Sequence, residues 1–162
     1  MTDYITDLRD TVDRAAAQLS EVGAEAAAVR PRPGGWSAKE IIGHLIDSAT
    51  HNHQRFVRAQ WQDTLVFSGY EQEAWVKAQR YEDAPWVELV VLWREYNRHL
   101  ARVMAAVPAG VRYREHRMHN LHEIAWQPVP AGESTTLDYL MADYVGHLHH
   151  HLRQIWALVR SG

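Results

Sequence analysis

The chain of 162 residues contains no cysteine. That excludes a disulfide framework, a thiolate metal site and a cysteine nucleophile. A metal, if held, must sit on His, Asp or Glu, a ligand set that suits zinc, nickel, iron or manganese. Lysine is nearly absent: Lys39 and Lys77 are the only two. The formal net charge is -3, which removes the electrostatic basis for a nucleic-acid binder. No apolar run approaches bilayer-spanning length, and the N-terminus carries no signal-peptide pattern. These absences point to one globular domain over residues 1–162, located in the cytoplasm, with no membrane partner.

What the chain does have is histidine, eleven of them, and seven tryptophans. The apolar pattern is helical. Ile5, Leu8, Val12, Ala15, Leu19, Val22 and Ala26 recur in steps of three and four, which predicts a helix over Asp3–Ala28. Pro31, Pro33 and Gly34-Gly35 end it. Ser37 with Glu40 forms a capping-box signature that opens a second helix, expected to reach about Gln62. Tyr70–Trp75 is a short helical candidate. A third long helix follows Asp83-Ala84-Pro85, with Trp86, Leu89, Trp93, Tyr96, Leu100 and Val103 on one stripe. The segment 111–133 lacks helical periodicity and is read as a hairpin or an ordered loop. The last helix begins near Ser134–Thr136 and runs to about Val159. Four long amphipathic helices and one long irregular connection predict an all-α four-helix bundle.

Four histidines crowd the last helix: His147, His149, His150 and His151. His147 and His151 are four apart, so one helical face presents both. Each lies three residues after an apolar stripe position, Tyr144 or Leu148, which turns the pair inward. On the second helix His44 lies three after Ile41 and also faces inward. Three histidines would leave one coordination position open, the mark of a catalytic site. Asp47, one turn on, is a candidate fourth ligand, a partner fixing a histidine tautomer, or a catalytic acid–base group. His51 is a weaker candidate, and His149 and His150 are read as pointing to solvent or a partner. His116, His119 and His122 are read as part of a loop over the site mouth or of an interface, rather than as a second metal site.

These residues carry a family resemblance. Trp36-Ser-Ala-Lys-Glu-Ile-Ile-Gly-His44-Leu-Ile-Asp47-Ser48, with Arg55-Phe56, resembles the first ligand-bearing helix of the DinB-like superfamily. Tyr70–Trp75 and the stretch Thr136 through Tyr144, His147, His151 and Gln154-Ile155 resemble further segments of its branch of metal-dependent hydrolases and bacillithiol S-transferases. The resemblance spans roughly residues 31–155. It implies an up-down-down-up bundle, a homodimer, and a divalent cation, zinc or nickel, on His44, His147 and His151. It also implies a small-molecule reaction: conjugation of a low-molecular-weight thiol of the bacillithiol or mycothiol type to an electrophile. The alternatives are hydrolysis at the same site, with Asp47 or Glu40 as base, and a non-catalytic metal-binding stress-response bundle. Arg55 and Arg153 are side-chain types that could bind carboxylates of such a thiol.

Overall fold

The computed structural model describes residues 3–160; Met1, Thr2, Ser161 and Gly162, the ends of the expected 1–162 domain, lie outside them. The described residues form helices and no named strand. The first predicted helix is in fact two, α1 (Tyr4–Ser20) and α2 (Ala24–Ala28). The chain turns at Glu21–Gly23, where Gly23 is the extended residue that starts α2. Ala26, the expected stripe position, is exposed and its neighbour Ala27 is buried instead, and the run Ala26–Ala28 is apolar in either register. Periodicity alone therefore hid the break.

Helix α3 (Ala38–Arg58) begins as its sequence requires. Ser37 Oγ accepts from the Glu40 N–H, and the Glu40 carboxylate accepts from the Ser37 N–H at 2.9 Å. Arg30 adds two contacts to the same carboxylate. The helix is buried on every side from Ala38 to Ala49 and ends a turn earlier than the pattern suggested. After it come α4 (Gln72–Gln79), a 3-10 turn at Tyr81–Asp83, and α5 (Trp86–Ala105). The short helices α6 (Ala109–Arg112) and α7 (Leu121–Ile124) interrupt the irregular connection before α8 (Leu137–Arg160).

The four long helices meet in the ring order α1, α5, α3, α8, so α3 packs between α5 and α8. Two inward stripes, one from α3 and one from α8, thereby come face to face. At their middle Tyr144 donates to the buried Asn97 of α5, and Trp93 is fully buried nearby. Gly43 lets the ring of Tyr81 lie against α3: a Cβ there would stand 2.1 Å from it.

The segment 111–133 is an ordered loop, not a hairpin. Isolated bridges tie Leu65 to His119 and His116 to Thr135. His116 Nδ1 bonds the Asp63 carbonyl, and His119 Nε2 bonds the Glu133 carbonyl. These histidines pin the loop to its neighbours.

Candidate metal centre

His44 projects from α3, and His147 and His151 from α8. Their Nε2 atoms converge: His44 to His147 is 3.3 Å and His151 to His147 is 3.0 Å. Among the described residues this is the one group of three or more His, Asp or Glu side chains whose ligand atoms all come within 4.8 Å of one another. Around a tetrahedral cation with Zn–N bonds of about 2.0–2.1 Å, neighbouring nitrogens lie roughly 3.3 Å apart. The spacing therefore fits.

The hydrogen bonds behind the rings agree. His151 Nδ1–H donates to Gln154 Oε1 at 2.7 Å, which leaves the lone pair on the inward Nε2. Gln154 is oriented in turn by donating its Nε2–H to His150 at 3.1 Å. His147 Nδ1 faces Ser48 Oγ at 3.5 Å. His44 is fully buried, and its Nδ1 has no partner. Its ring rests against Trp36, centroid to centroid 5.1 Å. A single proton cannot satisfy three nitrogens that converge on one point, whereas one divalent cation can. Burial favours the neutral rings that ligate: it lowers His44 and His147 to a pKa of about 3, helped by charge repulsion from His151, and lowers His151 as well.

Asp47 lies outside this group. Its Oδ1 accepts from Tyr81 Oη at 2.7 Å and Gln79 Nε2 at 2.8 Å. Burial raises its pKa against those two bonds. His51 is also outside: its Nδ1–H goes to the Asp47 carbonyl, and its ring stacks on Tyr70 at 3.8 Å. Glu40 is held by the cap and by Arg30, so it is not available as a base. His149 pairs with Asp7 at 2.7 Å. His150 faces the cavity described next, not bulk solvent.

A cavity of about 310 Å³ opens beside His147 and His151. Ser48, Asn52 and Arg55 form its α3 wall, Tyr70 and Gln72 one side, and Glu123–Trp126 a roof. Asp143 ties that roof down, its two oxygens accepting from the N–H groups of Trp126 and Gln127 at 2.9 and 2.8 Å. Sequence reading missed Gln154, Ser48 and Trp126 as parts of the site. Gln154 lies one turn past His151, which was the available signal; Trp126 sits in an aperiodic segment and had none.

Comparison with known proteins identifies the family and the fold. YfiT of Bacillus subtilis, which its name places provisionally among metal-dependent hydrolases, is 25% identical over 130 residues, 80% of this chain and 67% of its own. A Bacillus mycoides protein with the same kind of provisional name is 22% identical over 155 residues, 96% of this chain and 83% of its own. The solved structure of YfiT, described as a four-helix bundle of unusual topology, superposes with a TM-score of 0.77 at 23% identity, covering 98% of this chain and 85% of that one. No helix among the described residues is long and apolar enough to cross a membrane. The DinB superfamily model matches residues 5–155, and the chain belongs to the DinB superfamily.

Proposed function

We propose that the chain is a metal-dependent enzyme in which His44, His147 and His151 hold a divalent cation, zinc or nickel, and a low-molecular-weight thiol is activated for attack on an electrophile. The observation that carries the proposal is the convergence of three Nε2 atoms beside a cavity. Such a cation, when bound, supplies Lewis acidity that eases deprotonation of an oxygen or sulfur donor. The protein orients the donors through Gln154 and Ser48, beside a cavity that Trp126 also lines. In the reaction the thiol gives its proton to solvent, a carbon–sulfur bond forms, and the bond from that carbon to the leaving group breaks, the leaving group departing with the electron pair.

Hydrolysis is the second reading, and the relatives' names favour it. Supporting the thiol reading is the state of the carboxylates. Asp143 and Glu40 are each engaged on both oxygens, Asp47 Oδ1 is held by Tyr81 and Gln79, and Glu123, the other carboxylate on the cavity, lies 3.6 Å from His122. A thiol, with a pKa of about 8.5, needs less help from a base than water does. A homodimer and a small-molecule substrate belong to the same proposal; the exposed Val87, Val91 and Leu92 of α5 suit a dimer face.

The test begins with metal content after purification without immobilised metal. One equivalent of zinc or nickel is expected, lost in His44→Ala and His147→Ala. The loaded protein is then given bacillithiol or mycothiol with a model electrophile, and separately a panel of esters without thiol. Accelerated conjugation supports transfer. Ester turnover alone would move the assignment to hydrolysis.

A further inference from the structure

The α3 wall of the cavity is a single stripe. His44, Ser48, Asn52 and Arg55 follow one another at helical spacing, from the metal-binding end outward. Arg55 is only 6% exposed, yet no carboxylate lies within ion-pair distance of it among the described residues. Its one hydrogen bond is from Nη2 to the Ser68 carbonyl, at 3.0 Å. That bond fixes the plane of the guanidinium and leaves its other donors uncommitted beside the cavity. Asn52, 8% exposed, spends its Nδ2 on Ser48 and keeps its Oδ1 without a partner on the same wall. A buried cation without a counter-charge is costly, and burial does lower the Arg55 pKa. The side chain lacks an anion that the fold does not provide.

We propose that Arg55 anchors a carboxylate of the substrate, whose reacting end lies at the His44–His147–His151 site. Ser48, opposite His147, and Arg55 are seven residues apart, on the order of 10 Å along the helix, so the substrate is elongated. A carboxylate is favoured over a phosphate dianion. Among the described residues Arg55 is the only arginine or lysine lining the cavity, while Asp143 and Glu123 also line it. One guanidinium fork matches one carboxylate. Arg153, the other candidate, is exposed and lines no part of this cavity. The inference rests on the proposed thiol chemistry for what happens at the metal end, but not for the anchor itself.

The experiment is calorimetric titration of the zinc-loaded protein with 6-mercaptohexanoate, 6-mercaptohexanol, hexanoate and hexyl phosphate. The parent is expected to bind 6-mercaptohexanoate at least about tenfold more tightly than its alcohol counterpart. In Arg55→Gln that preference should fall below about twofold, with zinc content and affinity for the alcohol unchanged. Arg55→Lys keeps the charge without the fork and should show an intermediate preference. This variant also serves if Arg55→Gln fails to fold. A parent-like preference in either variant overturns the anchor, as does hexanoate binding that ignores Arg55. Tighter binding of hexyl phosphate than of hexanoate overturns the choice of carboxylate. If neither thiol engages the metal but hexanoate still depends on Arg55, the thiol reading falls and the anchor stands.

Discussion

Gln154 receives the Nδ1 proton of His151 at 2.7 Å, and this bond decides which nitrogen of that ring faces His147. The amide cannot turn over freely, because its nitrogen is committed to His150. A surface glutamine would thus act at the proposed metal centre without touching the metal.

Replacing Gln154 by Ala should leave the fold intact and weaken zinc binding about 10–100-fold. Competition with a zinc chelator of known affinity measures it. Gln154→Glu should recover most of the loss, since a carboxylate accepts the same proton. Unchanged affinity in both variants would show that the tautomer is set elsewhere.

Acid should destabilise the metal-free protein. The unfolded chain takes up protons at His44 and His147 near their ordinary pKa of about 6.5, whereas burial holds the folded rings at about 3. Below about 6.5 the unfolded state binds more protons, so stability falls as pH falls and levels off near 3. Each unit of depression is worth about 1.4 kcal/mol, which puts the combined effect at several kcal/mol. Urea unfolding of chelator-treated protein from pH 7 to pH 4 tests this. The double variant His44→Leu, His147→Leu should lose most of the slope.

Gly43→Ala should be strongly destabilising. The added Cβ would stand 2.1 Å from the Tyr81 ring, and the ring would have to leave. That also breaks the Tyr81–Asp47 bond and strips a buried carboxylate of one donor. Overpacking typically costs about 1–3 kcal/mol, and the lost bond adds to it. Thermal unfolding reads the total. Gly43→Ala combined with Tyr81→Ala should be less than additive, because the clash is removed.

The bundle and its three histidines were legible for one reason: helical periodicity reports which side chains face inward, and a ligand must face inward. His44 was found from its distance to Ile41 in the same way as His151 from Leu148. The break after Ser20 was not legible, because the alanine run Ala26–Ala28 fills the stripe in either register, although Ala27 rather than Ala26 is the residue buried. Asp47 is held by residues that helical periodicity does not report. Its spacing placed it on the inner side of α3, but Tyr81 and Gln79, which hold it, come from a segment without periodicity. The role of His150 was obscured similarly. It becomes part of the cavity wall only through Trp126, 5.6 Å away between ring centroids, and nothing local to α8 announces that indole.

Gly146 lies between the helix that supplies two histidines and the roof that covers them. A Cβ at this position would come within 2.9 Å of Trp126 Cζ3. The seating of Trp126 on the cavity therefore depends on one missing methyl group. Chains with a larger residue here would have to lift the indole, widening the mouth and admitting water, with every ligating residue still in place. Access to the proposed site is thus set in part by a position that contributes no chemistry of its own.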